Sequence, residues 1–294
     1  MNKKVIQKII IKKVESDIRL DLLLATKLNV TRSKIQKMTK QGLVCVNGIV
    51  ASAKYLLCTG DSITIAEEKK KLTPKIDIIF EDDDILVIDK PSGITSHPAP
   101  GESDTTVAEI FSGKYSGKQD TNRDMIVHRL DKGTSGLMVL AKNEKARSIL
   151  AKQFADRKVN KTYTTLVHGR VVPIEGIIDM PLSRDVRSKN RMSPADEGKD
   201  AKTLYKVSKY YKGFTLILAN PKTGRTHQIR AHFVAIGHPL YGDERYGIRE
   251  DNFKRIFLHA SELSFIHPTT GSRVKFVSPL PRELKDILSK LEIE

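Results

Sequence analysis

The chain has 294 residues, 39% hydrophobic and 29% charged, which excludes a disordered tail and allows one large or two medium domains. Its formal charge of +16 points to a polyanionic partner, either nucleic acid or an anionic membrane surface. No run of about 18 apolar residues is present to span a bilayer, and two cysteines, Cys45 and Cys58, are too few for a disulfide framework or a cysteine-built zinc site and suit a reducing cytoplasm.

In chain order, the opening MNKKVIQKIIIKKVESD carries lysines on both sides of an apolar stretch too short for a secretory signal. It reads as a solvated basic helix or strand face in preference to an amphipathic membrane anchor. Leu20, Leu23 and Leu24 make a helical apolar face, and Thr31 is placed to cap a second helix from Arg32 to Lys40 that stops at Gly42. Lys34, Lys37 and Lys40 share one side of it. In LVCVNGIVA, the pair Asn47-Gly48 between two apolar runs spells a two-residue hairpin. Residues 1–65 hold twelve basic and four acidic side chains, half of the net charge, and are expected to form a small α/β domain. AEEKKKLTPK, residues 66–75, clusters charge beside a proline and reads as a linker.

Residues 76–294 alternate strand-like runs with long loops. Strands are expected at Ile85–Ile88, Gly136–Ala141, Lys161–Val167 and Phe214–Ala219. Lys90-Pro91-Ser92-Gly93 suits a type I turn. One helix follows the cap Asn143 and buries Ala146, Ile149, Leu150 and Phe154. A second, Thr226 to Ile236, buries Ile229, Phe233 and Ile236 and ends at Gly237. The pattern predicts an α+β domain with a mixed, mostly antiparallel sheet flanked by helices and loops.

The segment IVHRLDKGTSGLMVLAK sets an Arg-Leu-Asp triplet against a turn and a buried strand. Taken alone, Asp131 starts a turn and Arg129 reaches solvent. Three further segments change the balance. Lys161 and Tyr163 in KTYTTLV alternate so as to share a strand face. ANPKTGRTHQIRAHFVAIGHPLYGDERYG delivers Arg230 and, at a helix start whose backbone N–H groups attract phosphate, Arg225. IFLHASELSF adds Leu258 and His259. His227 and His232 are five apart and do not share a helix face, and no acid or thiol lies at zinc spacing, so no metal is expected.

Together KPSGITSHP, HRLDKGTSGLMVLAK, KTY, TGRTHQIRAHFVAIGHPLYGD and LHASEL resemble the RluA/RluD-type pseudouridine synthases in order, spacing and content, over nearly the whole chain. TRSKIQKMTKQGLVCVNG resembles the RNA-binding domain first seen in ribosomal protein S-four. The resemblance implies an isomerase that breaks the bond from ribose to uracil nitrogen, turns the base and rejoins it through carbon, with no metal and no organic cofactor. It implies Asp131 as the catalytic carboxylate, acting on the anomeric carbon or, the preferred route, removing the 2′ proton to give a glycal. Arg230 matches the arginine that pairs with that aspartate, and Tyr163 the tyrosine that stacks on uracil and helps take the proton from the rejoined carbon. Leu258 would close the pocket. Arg129 would fill the space left by the flipped nucleotide or hold its phosphate, and His128, Lys161, Arg225 and His227 are expected around the substrate.

Arg32, Lys34, Lys37 and Lys40 are expected to bind RNA, and Arg184, Arg187, Lys189 and Arg191 form a basic loop that either tracks an RNA backbone or is simply solvated. The partner implied is structured RNA, foremost large-subunit ribosomal RNA, with no membrane. A cytoplasmic monomer is the default. The alternative from another class is a non-catalytic RNA-binding or ribosome-assembly factor; an RNA methyltransferase would need a G-x-G-x-x-G loop that HRLDKGTSG does not provide.

Overall fold

The computed structural model describes residues 5–66, 74–97, 105–115, 125–186, 188, 191–247, 250, 253 and 255–294. The chain divides into two compact units, residues 1–72 and 73–294. Most of the expected linker, residues 67–73, lies outside the described residues, as do Arg187 and Lys189 of the basic loop.

In the first unit, β1 (Val5–Ile10) is followed by α1 (Leu20–Lys27), α2 (Arg32–Lys40), β2 (Val44–Val46), β3 (Ile49–Val50) and β4 (Ser62–Ala66), and the strands form an antiparallel sheet in the order β1-β4-β2-β3. The Thr31 side chain accepts from the Lys34 N–H and so caps α2, while Ile35 turns into a core with Leu20, Leu24, Val44 and Ile63. Asn47 and Gly48 both have positive φ, as a tight two-residue hairpin requires. Asp21 is fully buried at the start of α1. Hydrogen bonds from Gln36, Arg19 and Arg32 outweigh the cost of burial and hold its carboxyl down to about 2.

The second unit runs β5 (Asp77–Glu81), β6 (Ile85–Lys90), α3 (Val107–Tyr115), β7 (Ser135–Ala141), α4 (Glu144–Ala155), β8 (Asn160–His168), β9 (Glu175–Asp179), β10 (Leu182–Arg184) and β11 (Met192–Pro194). It continues through β12 (Lys202–Tyr211), β13 (Phe214–Pro221), α5 (Gln228–Ala235), β14 (Leu258–Ile266), β15 (Arg273–Val277) and α6 (Arg282–Leu288). Nine strands form one mixed sheet in the order β5-β6-β7-β14-β8-β13-β12-β9, with β15 also paired to β14. Among the described residues only β7 and β14 run parallel; the other pairs are antiparallel. A separate hairpin pairs β10 with β11.

Every residue of β7 is buried, because the sheet is covered on both faces there. Met138 and Leu140 join Leu86, Ile88, Ile229 and Phe233 on one side, while Leu137 and Val139 join Ile85, Val87 and Leu150 of α4 on the other. An alternating pattern would not suffice for such a strand, which explains the unbroken apolar run GLMVLA. Asn143 accepts from the Ala146 N–H and caps α4 as its sequence suggests.

Gly93, at the fourth position of the KPSG turn, has φ +91°, a conformation open to glycine. One local expectation needs correction. Helix α5 begins at Gln228, not Thr226, because His227 takes a left-handed conformation, φ 53° and ψ 22°, at the cap position.

Gly136 is where β7 meets its parallel neighbour. Its φ is +115°, and a methyl group there would stand 2.3 Å from the Ala260 carbonyl oxygen, a backbone atom that cannot step aside. Gly136→Ala should therefore cost at least about 2 kcal/mol. Thermal unfolding checks this; a melting temperature equal to wild type would show that β7 and β14 can part without loss.

Candidate active site

Asp131 sits in a turn closed by the Thr134 N–H donating to the Asp131 carbonyl at 3.0 Å, just before β7. The loop after β6 holds that turn in place. Gly93 N–H donates to the Lys132 carbonyl at 2.7 Å, the Ser92 hydroxyl to the Gly133 carbonyl at 2.9 Å, and the Ser96 hydroxyl exchanges bonds with both the N–H and the carbonyl of Leu130. Lys90 lies beneath, fully buried, its ammonium donating to the carbonyls of Pro91 and Ile94 at 3.0 and 2.8 Å. KPSGITS is thus the cradle of the Asp131 loop.

The Asp131 side chain faces a cavity of about 400 Å³, a volume usual for small-molecule sites. The nine residues expected at the catalytic and substrate positions all line it: Asp131, Tyr163, Arg230, Arg129, His128, Lys161, Arg225, His227 and Leu258. Tyr163 and Leu258 come from facing strands, with Tyr163 opposite Ala260 and Leu258 opposite Thr165 in the β8–β14 ladder. Lys161 and Tyr163 do share a face.

Arg230 reaches Asp131, Nη1 to Oδ2 at 3.5 Å, but its two shortest bonds go elsewhere. Nε and Nη2 each donate to Asp243 at 2.7 Å, a bidentate pair with the Asp243 side chain 1% and the Arg230 side chain 8% exposed. The expectation that Arg230 pairs with Asp131 is corrected to this extent: Asp243 is the main partner and Asp131 the second. Burial opposes the arginine's charge, and the Asp243 bonds together with the charges of Asp243 and Asp131 more than offset it.

His227 places Nε2 at 3.9 Å from Asp131 Oδ2 and Nδ1 at 3.0 Å from the Tyr246 hydroxyl. Burial holds its imidazole well below the usual range, so it is neutral at pH 7. Tyr163 is pushed up, by burial and then by the Asp131 charge, and keeps its phenol proton at neutral pH. A phenolate base is thereby disfavoured. Lys161, brought down to about 8 by burial and the neighbouring charge of Lys222, has one long bond, 3.5 Å, to the Thr223 carbonyl. His128 is held near 3 by burial, and its Nε2 accepts from the Val139 N–H while the ring stacks on Phe154 with centroids 4.5 Å apart, so one edge of this residue belongs to the scaffold.

Arg129 is exposed, and none of the described residues forms an ion pair with it. Arg225 precedes α5 in a turn stapled by Gln228, whose Oε1 accepts from the Arg225 N–H and the Thr223 hydroxyl; its Nε donates to the Asp200 carbonyl. It therefore does not open the helix, as its sequence position suggested. His232 bonds Thr203 and Met180, and His259 bonds Ser135 and Ser278, so both serve the scaffold. Asp82, Asp84 and His267 bring possible ligand atoms within 4.8 Å of one another, away from this cavity, but Asp82 is already spent on the His267 imidazole and on the N–H groups of Asp84 and Ile85.

Asp243 and Tyr246 were not singled out from sequence. Asp243 closes the motif TGRTHQIRAHFVAIGHPLYGD and Tyr246 lies just past it, and nothing local in YGDERYG assigns either a task. In the first unit, Arg32, Lys34, Lys37 and Lys40 are all exposed on α2, though Arg32 also donates to Asp21 at 3.3 Å. In the β10–β11 hairpin Arg184 is exposed and Arg191 lies over the Tyr246 ring at 5.0 Å.

Residues 84–235 match the family described as RNA pseudouridylate synthase, and residues 18–63 match the S4 domain. An uncharacterized RNA pseudouridine synthase of Bacillus subtilis, YlyB, is 38% identical over 284 residues, covering 93% of this chain and 94% of that protein. A ribosomal large subunit pseudouridine synthase D of Zymomonas mobilis is 34% identical over 300 residues, with 94% of each chain covered. Among solved structures, human RNA pseudouridylate synthase domain containing 1 superposes with a TM-score of 0.62 at 26% identity, over 77% of this chain and 92% of its own.

Two outcomes are expected from these contacts. Asp243→Ala strands a buried guanidinium and should cost about 3–5 kcal/mol in chemical denaturation; a loss under ~1 kcal/mol would mean that Arg230 finds another partner. Burial and the Arg255 charge bring the Lys90 ammonium from 10.5 down to about 7, against the opposing charges of Asp131 and Asp89. Between these two values the unfolded chain holds the extra proton and the folded one does not, so stability rises with pH over that window. Wild type should gain on Lys90→Met as pH goes from about 7 to about 10, and parallel stability curves would show that the buried ammonium does not titrate there.

Proposed function

Since the chain belongs to the RNA pseudouridylate synthase family and is an RNA pseudouridine synthase, we propose that it isomerises specific uridines of structured RNA, large-subunit ribosomal RNA in the first place, with Asp131 as the catalytic carboxylate and no cofactor. The convergence of Asp131, Arg230 and Tyr163 on one cavity carries this reading. The name borne by the Zymomonas mobilis relative supports the choice of ribosomal RNA, and two unpaired cysteines accord with action in the cytoplasm. It acts as a monomer in this reading.

The chemistry assigns each group a task. A uridine extruded from its stack enters the cavity, and Asp131 meets its ribose. Asp131 takes the proton from C2′ as the bond from C1′ to N1 breaks and its electron pair leaves on the uracil. The detached uracil turns between Tyr163 and Leu258, C5 bonds to C1′ as Asp131 returns the proton to C2′, and N1 takes up a proton from solvent. The proton on C5 then leaves to solvent. Tyr163, neutral in its buried place, supplies a flat wall and a hydroxyl rather than a phenolate. Arg129, exposed at the rim, meets the displaced strand or its phosphate, and Arg225, Lys161, His128 and His227 complete the enclosure. Arg32, Lys34, Lys37 and Lys40 hold RNA at a distance from the chemistry, where charge sets affinity and not rate.

Release of tritium from RNA labelled at C5 of uracil is the direct measurement. Wild type should release label from ribosomal RNA, and Asp131→Asn should lower release at least about a thousandfold while RNA affinity stays within about threefold, because shape is kept and only charge is lost. Salt-dependent RNA binding by wild type with no release would identify a binding factor instead.

A further inference from the structure

We propose that Tyr246 and His227 act together as positioning residues for Asp131: the Tyr246 hydroxyl donates to Nδ1 of His227, which turns the Nε2–H of the imidazole toward the Asp131 carboxylate. This rests on the reading of Asp131 as the catalytic group.

Two distances link the three side chains. Tyr246 hydroxyl to His227 Nδ1 is 3.0 Å, and His227 Nε2 to Asp131 Oδ2 is 3.9 Å. The Tyr246 oxygen already accepts the backbone N–H of Met192 in the β10–β11 hairpin, which leaves its own proton to give to the imidazole. An imidazole that accepts at Nδ1 carries its proton on Nε2, the nitrogen facing Asp131. The last step is longer than a hydrogen bond by about 1 Å, the usual state of a catalytic contact before substrate closes on it.

Backbone and packing fix both partners. His227 is a non-glycine residue at φ 53°, a strained conformation that persists only where the surroundings enforce it. Tyr246 is buried, with the guanidinium groups of Arg230 and Arg191 over its ring at 4.8 and 5.0 Å. Burial keeps the imidazole neutral, the one state that accepts from Tyr246 and donates to Asp131 together. The short segment from Asp243 to Tyr246 thus supports both cavity groups that face the carboxylate: Asp243 grips Arg230, and Tyr246 steers His227.

The test uses the full-length protein with Y246F, H227A and the double variant, in single-turnover tritium release. Y246F should slow release about tenfold, the worth of one hydrogen bond, with RNA affinity unchanged and a lowered melting temperature, because the Met192 N–H loses its acceptor as well. H227A and the double variant should be equally slow, since the hydroxyl acts only through the imidazole. Nitrogen-15 NMR should place the His227 proton on Nε2 in wild type, and Y246F should populate both tautomers. A Y246F rate equal to wild type, losses that multiply in the double variant, or a wild-type proton on Nδ1 would each overturn the proposal. If wild type itself releases no label, the reading of Asp131 falls, and the tautomer measurement alone still decides whether Tyr246 orients His227.

Discussion

A guanidinium taken out of water must be paired, and the way Arg230 meets that demand shapes the whole site. Asp243 takes two of its nitrogens at 2.7 Å each, which leaves Nη1 for Asp131 at 3.5 Å. Had Asp131 been the bidentate partner, both of its oxygens would be tied up and the carboxylate would have little to offer a ribose. Assigning the strong pair to a second aspartate separates the anchoring of the cation from the chemistry proposed for Asp131. Asp131 then feels a fixed positive charge while its oxygens stay open to the cavity.

Such an arrangement needs rigid mounts on every side. The turn bearing Asp131 leads straight into β7, a strand buried on both faces, and Gly136 lets that strand approach β14 closely. From below, Ser92, Gly93 and Ser96 bond the main chain of the same turn, and Lys90 ties down the loop that carries them through the carbonyls of Pro91 and Ile94. Arg230 stands on α5, whose Ile229 and Phe233 lie in the same core as Met138 and Leu140 of β7. The carboxylate and the guanidinium are therefore held relative to each other by shared packing, which a weak pair at 3.5 Å could not achieve alone.

Most elements were legible because local chemistry decides them. GLMVLA has too many adjacent apolar residues for a half-exposed strand, Thr31 and Asn143 cap helices with their own side chains, and Asn47-Gly48 permits the positive φ of its turn. The cavity residues could be gathered as well, since their segments resemble a family whose motif order is distinctive. What escaped was partner choice. Arg230 and Asp243 are thirteen residues apart with a helix end and a loop between them, and nothing in YGDERYG distinguishes a carboxylate that grips a cation from one that faces solvent. The left-handed His227 escaped for a related reason: GRTHQIR has good helix periodicity, and tertiary contacts through Gln228 to Thr223 and Thr203 delay the helix by two residues.

The cations of this protein fall into two physical classes, and the net charge of +16 conceals the difference. Arg129, Arg184 and the lysines of α2 are exposed, so dissolved ions screen them and their attraction to phosphate fades as salt rises. Arg230, Lys90 and Lys161 are enclosed by protein, where screening is weak and each charge depends on its immediate partners. Of these, Arg230 has two carboxylates, Lys90 has two carbonyls, and Lys161 has a single distant one. That ordering separates their surroundings: the two well-satisfied groups are held by the protein itself, and the half-buried Lys161, in the cavity wall with Tyr163, is the cation that the protein leaves most in need of oxygen partners.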